Sequence, residues 1–325
     1  MTTLTGTVLV VVDHAGGALT GPSAEVLTLA RGLTTGDVDA VALAEPDTTA
    51  LARLGVATVH VPDLGPLAPE IAPVAAEAVL AVVAAVRPEA VLLVSSFAGK
   101  EVAARLAVAL GSGAVVDATA VSVDGGGRLL ASRSVLQGTW ETSCAVRRGL
   151  PVVAVKPTAV EAADAPVPGP ATVSAVPVTF SAVARAVRVV SRTAHPGGSR
   201  APLGEAKVVV VGGRGVEGDF SLVEQLADEI GGAVGATRVA TDEGWIDHSA
   251  QVGQTGVTIS PRLYVGLGVS GAIHHTAGMQ TAETIVVVNN DPEAPIFEIA
   301  DLGVVGDLTE VVPQAVAELR RLRQG

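Results

Sequence analysis

The chain is short of four things, and each shortage closes off a class of function. It has a single cysteine, Cys144, so it can form no internal disulfide and no cysteine-based zinc site. A lone thiol of this kind usually serves packing. Aromatic residues make up 2% of the chain, too few for the stacking platforms that nucleic-acid bases require. Positive charge is also scarce. The 21 Lys and Arg stand against 33 Asp and Glu, a formal charge of −12, which disfavours nucleic acids and anionic membrane surfaces as partners. Long apolar runs are missing too. The best candidate, 72–86, is broken by Glu77, with Pro73 and Pro88 at its ends, so no direct membrane insertion is expected. The opening MTTLTGTVLVVVDH carries no basic region before its apolar run; it reads as a first strand rather than a signal peptide. The expectation is a soluble, cytoplasmic protein.

What is present is Ala, Val and Leu in quantity. Hydrophobic residues make up 49% of 325, enough for two domains of ordinary size. Short apolar runs at 7–12, 38–44, 57–61 and 90–94 read as strands. Helical spacing at 23–32, 69–86 and 99–110 falls among them. Such alternation implies a parallel sheet with helices on its faces, an α/β domain of the Rossmann-like nucleotide-binding type. From Ala114 the pattern changes. Residues 118–123, a GGG at 125–127 and residues 129–136 read as a hairpin, followed by strands at 152–155 and 172–178 and a helix over 182–190. Pro196, Gly197 and Gly198 mark a loop. The expected division is an N-terminal domain over 1–192, a linker over 193–203 and a C-terminal, flavodoxin-like, doubly wound domain over 204–325. That second domain opens with a strand at 207–211, turns through Gly212–Gly215, and continues with a helix over 220–230 that Asp219 can cap. A glycine turn at 231–235 precedes a run over 236–239, and a last helix spans 308–322.

The candidate site lies in the stretch from Gln251 to Asp307. Polar and glycine residues there alternate with short apolar runs at 263–267, 284–288 and 304–305. In an open parallel sheet, ligands sit beyond the carboxyl ends of the strands. Gly266, Gly268 and Gly271 let a ligand approach the backbone. Ser270 stands where an N-cap belongs, before a helix over 271–276, and such a start suits phosphate. Gln251, Gln254 and Thr255 supply donors in a second loop. Asn289 and Asn290 end a strand. Taken singly, these features also fit plain structural roles: Arg214 in a turn, Arg238 on the surface, His275 as a cap, and Asn289 as a strand end. Asp13, His14, Ser95 and Ser96 read as strand ends without a site. The pair His274–His275 lacks metal-ligand spacing, because helix neighbours face different ways.

In combination, GGRG at 212–215, TR at 237–238, QVGQTG at 251–256, PRLYVGLGVSGAIHH at 261–275 and VVNNDPEAPIFEIADLGVVGDL at 287–308 resemble the electron transfer flavoprotein alpha subunit. SSFAGKEVAARLAVALGSG at 95–113 resembles the family more loosely. Around 131–142, ASRSVLQGTW replaces the family's arginine-proline-aromatic segment. The resemblance implies a heterodimer with a beta subunit, one FAD on this chain, and an AMP on the beta subunit. It also implies single-electron shuttling from flavin dehydrogenases, such as the acyl-CoA dehydrogenases of fatty acid beta-oxidation, to a membrane quinone oxidoreductase.

The resemblance further assigns roles. Arg214 lies near the flavin, and Arg238 lies against its ring, where a guanidinium stabilises negative charge on the reduced form. Thr237 keeps the hydroxyl of the family's serine. Gln251, Gln254 and Thr255 belong to the flavin loop, with the Thr255 hydroxyl toward the reactive ring edge. Gly268, Ser270 and Gly271 form the pyrophosphate-binding turn. His275 approaches a ring carbonyl as cation or donor, and Asn289 and Asp307 contact the ribityl–adenosine portion. Arg238, His275 and Thr255 are thus the flavin-tuning set, and no metal is implied. Other readings are a nucleotide-binding α/β dehydrogenase, an electron-bifurcating form of the same family, and a non-catalytic assembly protein. The first predicts a G-x-G-x-x-G turn after the opening strand, where the chain instead has Asp13–His14–Ala15–Gly16–Gly17.

Overall fold

A computed structural model describes residues 2–136, 138–192 and 200–323. The chain forms two compact units, Met1–Ser134 with Glu141–Thr193, and Val135–Trp140 with Ala194–Gly325. Most of the expected linker, 193–199, lies outside the described residues.

The first unit opens with β1 (Val8–Val12), every residue of which is buried. A small antiparallel pair, β2 (His14–Ala15) and β3 (Ala18–Leu19), follows. Helix α1 (Gly21–Leu33) starts at Thr20, whose side chain accepts from the Ser23 N–H, with proline in its first turn. Then come β4 (Val38–Ala42), α2 (Thr48–Arg53), β5 (Thr58–Pro62), α3 (Ala72–Val86), β6 (Ala90–Val94) and α4 (Phe97–Ala109). Alanine-rich α3 stops where Arg87 takes a left-handed conformation before Pro88. The expected hairpin is β7 (Ala114–Val123) against β8 (Leu129–Val135), antiparallel. Strands β9 (Trp140–Ala145), β10 (Val152–Val155) and β11 (Thr172–Val176), and then α5 (Ala182–Ala186), complete the unit. The sheet order is β11-β5-β4-β1-β6-β10-β7-β8-β9. Alternate residues of β1 feed opposite cores. Val8, Val10 and Val12 pack with α1, while Leu9 and Val11 pack with α3 and α4. Burial on both faces is what a parallel sheet of this kind requires.

The second unit is built on β12 (Val208–Gly212), α6 (Ser221–Ile230), β13 (Ala233–Ala236), α7 (Arg238–Asp242), β14 (Leu263–Leu267), α8 (Ile273–Thr276), β15 (Thr284–Asn289), β16 (Leu302–Val305) and α9 (Leu308–Arg323). All its strand pairings are parallel, in the order β13-β12-β14-β15-β16. The order reverses between β12 and β14, which is where a crevice opens in such sheets. The two faces are covered differently. On one, Val210, Val265, Leu267 and Val288 pack against α6 and α9. On the other, Val209, Val211, Tyr264 and Val287 are covered by Val252, Ile259, Val269, Met279 and Ile296, which come mainly from loops. The loops bearing the candidate residues are therefore a wall of the core and are anchored as such. Among the described residues, no helix is long and apolar enough to cross a membrane, and no group of His, Cys, Asp and Glu could hold a metal ion.

Candidate functional site

The strand ends at the switch point in the second unit place the candidate residues. β12 ends at Gly212, and Arg214 follows at the head of a short 3-10 turn, exposed. β13 ends at Ala236, and α7 begins at Arg238. The two ends are tied by Thr237 N–H to the Gly212 carbonyl, 3.0 Å. Both arginines thus leave the carboxyl ends of neighbouring strands. Arg238 is exposed and held loosely by Asp242 on its own helix, Nε to Oδ2 3.1 Å; Thr237 is buried at the start of that helix.

Close backbone contact fixes the β12 and β14 turns against each other. Gly213 N–H donates to the Leu267 carbonyl at 2.9 Å and Gly215 N–H to the Gly268 carbonyl at 3.0 Å. Gly268 has φ +61, and a Cβ there would lie 2.6 Å from the Gly215 Cα. Only glycine satisfies both demands. Ser270 is exposed just beyond. It is not the helix cap that its position implied: α8 is four residues long, begins at Ile273 and has Ala272 at its N-cap. So short a helix sums little dipole. What this turn offers an anion is backbone N–H and the Ser270 hydroxyl, not a helix end.

The loop 251–256 is held on both sides. Val252 N–H donates to the Ala236 carbonyl at 2.9 Å and Gln254 N–H to the His274 carbonyl at 2.7 Å. Gln254 and Thr255 are exposed, whereas Gln251 is buried. The Gln251 amide spans two hydroxyls, accepting from Thr241 Oγ1 at 3.0 Å and donating to Thr255 Oγ1 at 3.0 Å. His274 Nδ1 is 3.0 Å from Gln254 Oε1.

His275 is bonded within the protein through both ring nitrogens. It is buried, with Nδ1 3.0 Å from the Val252 carbonyl and Nε2 2.8 Å from the Tyr264 hydroxyl. A carbonyl only accepts, so Nδ1 carries the proton and Nε2 accepts from tyrosine. Burial pushes its pKa down to about 4, only partly opposed by the bond to Val252. His275 is therefore a neutral imidazole joining the 251–256 loop to β14; of the two forms that the resemblance allowed, cation or donor, burial disfavours the cation. Burial likewise raises the Tyr264 pKa. Asn289 is also committed internally: Nδ2 donates to the Val269 carbonyl at 2.8 Å, and Oδ1 accepts from Asp291 N–H at 3.0 Å. It braces the β14 turn. Asp307 accepts from the Thr309 N–H and hydroxyl at 2.8 and 2.6 Å, which holds its pKa below the usual carboxylate value. Gly271, with φ +89, packs against Ile296.

Sequence reasoning missed Tyr264 and Thr241. Tyr264 left a signal, because it is the only tyrosine of the chain and sits in an aliphatic strand, where a buried hydroxyl needs a partner. Thr241 left none.

Residues 8–186 match the family described as electron transfer flavoprotein domain, and residues 202–280 match electron transfer flavoprotein FAD-binding domain. The electron transfer flavoprotein subunit alpha of Mycobacterium leprae is 42% identical over 313 residues, covering 94% of this chain and 96% of that protein. That of Mycobacterium tuberculosis is 43% identical over 325 residues, covering 98% and 99%. This chain belongs to the electron transfer flavoprotein alpha-subunit family. A mitochondrial alpha subunit from Dictyostelium discoideum is 50% identical over 124 residues, covering 38% of this chain and 35% of that protein. The matched FAD-binding domain holds Arg214, Arg238, the 251–256 loop and the β14 turn, so the geometry above belongs to a flavin-binding domain of this family.

The residues present suit FAD. Arg214, Arg238, Gln254, Thr255 and Ser270 are exposed donors grouped at one end of one sheet. The glycine turns would be filled by any Cβ and keep the backbone open to close approach. A donor-rich rim matches a pyrophosphate and the carbonyl oxygens of an isoalloxazine ring.

Proposed function

We propose that this chain is the alpha subunit of a heterodimeric electron transfer flavoprotein. It holds one FAD in its second unit and pairs with a beta subunit that carries AMP. It passes single electrons from flavin dehydrogenases, acyl-CoA dehydrogenases among them, to a quinone oxidoreductase. The observation that carries the reading is the convergence of Arg214, Arg238 and the Gln254–Thr255 loop at the β12/β14 switch point of the matched FAD-binding domain.

Bound FAD supplies the one-electron chemistry, and the chain supplies position and charge. Ser270 and the Gly268–Gly271 turn hold the pyrophosphate. Arg238 and Arg214 present guanidinium groups that favour negative charge on the cofactor. Thr255 offers its hydroxyl to the reactive ring edge, and Gln254 lines the same loop. His275, neutral and fixed, keeps that loop in register through the Val252 carbonyl. Asn289 shapes the turn beside it, and Asp307 caps α9 at the rim.

The test is co-expression with a beta subunit, anaerobic reduction by a flavin dehydrogenase, and visible absorbance. The reading predicts a yellow complex, bleached by the dehydrogenase and its substrate in separate one-electron steps. A dehydrogenase that reduces free dye but not the complex would contradict the carrier role. An electron-bifurcating form would instead show a second flavin and reduction by a nicotinamide.

A further inference from the structure

We propose that Gln251 is a positioning residue whose side-chain amide reverses with the oxidation state of the flavin, deciding whether Thr255 offers a proton or a lone pair. The proposal rests on the FAD reading of the second unit.

The geometry starts at Thr241. Its hydroxyl has one proton and two acceptors in reach, the Arg238 carbonyl at 2.9 Å and Gln251 Oε1 at 3.0 Å. Thr241 is 2% exposed and Gln251 7%, so the choice is made within the protein. At the other end, Gln251 Nε2 donates to Thr255 Oγ1 at 3.0 Å. In this arrangement the Thr255 proton is left to point away from Gln251, and Thr255 lies exposed.

A half-turn of the amide exchanges its oxygen and nitrogen in the same space. Nε2 then donates to Thr241 Oγ1, whose proton goes to the Arg238 carbonyl. Thr255 donates to Gln251 Oε1 and presents only lone pairs outward. The Thr241 hydroxyl, the Gln251 oxygen and one Gln251 N–H are paired in both arrangements, and the Thr255 proton is paired within the protein only in the second. Each proton stays on its own heavy atom, and only the direction of donation changes. The second arrangement has one more internal hydrogen bond, a bias of about two- to tenfold, small enough for a ligand to reverse.

A flavin provides that choice. The nitrogen of its central ring edge accepts a hydrogen bond when oxidised and carries a proton, hence donates, when reduced. The first arrangement meets the oxidised form and the second meets the reduced form. The same relay runs from Thr255 to the carbonyl of Arg238, so ring edge and guanidinium-bearing helix are linked through one buried amide.

The experiment is NMR on the FAD-loaded alpha–beta complex carrying 15N-glutamine, with the Gln251 amide assigned by its loss in Q251M. Its protons should show proximity to the Thr255 methyl in the oxidised complex and to the Thr241 methyl after dithionite reduction. The same methyl in both states would overturn the switch. Thr241→Val removes two bonds from the second arrangement and one from the first. It should therefore lower the ratio of reduced to oxidised flavin at fixed potential by about two- to tenfold, while Thr241→Ser restores the wild-type value. A Thr241→Val complex with the wild-type potential would also overturn it. A colourless complex would overturn the FAD reading itself, whereas a yellow complex with unchanged contacts overturns the switch alone.

Discussion

A neutral, buried His275 makes stability depend on pH in a defined window. The imidazole is pushed down to about 4 in the fold against 6.5 for the free group. As pH falls below about 6.5 the unfolded chain takes up the proton first, so this group's contribution is full above 6.5 and declines between 6.5 and 4. At about 1.4 kcal/mol per pH unit, moving from pH 7 to pH 5 should cost about 2 kcal/mol from this group. Urea unfolding at the two pH values should show that loss in the wild type and not in His275→Gln. Equal slopes in both would remove His275 as its source. Gly268→Ala should be worse than an ordinary glycine change. It places a Cβ 2.6 Å from the Gly215 Cα at φ +61 and costs on the order of 2–4 kcal/mol. Equilibrium dialysis should find FAD retention lost.

The elements were unequally legible, and the reasons are local. β1, β4, β6 and β12 stand out as valine-bearing apolar runs that end near turn residues, and β14 as a short apolar run closed by Gly268. β13 did not, because Ala233–Ala236 contains Gly235 and follows two glycines, which mimics a turn. Packing explains the composition: a Cβ on Gly235 would lie 2.9 Å from Val252 Cγ2, so the strand is kept thin where the 251–256 loop crosses it. The run over 236–239 accordingly divides, Ala236 ending β13 and Arg238 starting α7. Helix α5 stops at Ala186 rather than 190, where Val187, Val189 and Val190 favour extended backbone. In the first unit, β4 and β5 share a buried pair, His60 Nε2 and Asp39 Oδ2 at 2.9 Å, and Asp39 also accepts from Thr58 N–H. Asp39→Leu or His60→Leu alone should cost about 3 kcal/mol, because each strands a buried partner. The double variant should cost less than the sum. A strictly additive result in urea unfolding would show the pair to be uncoupled.

For the whole molecule, membership of the family was legible because its motifs are backbone turns that only certain residues fit. The strings around Gly213, Gly253, Gly268 and Gly271 specify close approaches of chain to chain. The internal wiring was not legible. Nothing in sequence links Thr241 to Gln251, or Tyr264 to His275, until the strands bring them together. Resemblance therefore named the loops and left the histidine's protonation to the fold. The acidic balance of the chain, −12, sets the exposed arginines at 214 and 238 apart as local positive charge in a negative protein. Arg238→Ala should leave the fold intact, since its one ion pair is exposed. It should lower the flavin's reduction potential, read by dye-equilibrated titration, and a potential unchanged from wild type would deny Arg238 its role.

The most direct measurement is the flavin content of the purified alpha–beta complex, with the flavin released by heat and quantified by absorbance. The account predicts one FAD per heterodimer, lost on Gly268→Ala in this chain. A complex that assembles with no FAD, or whose FAD survives that substitution undiminished, would contradict it.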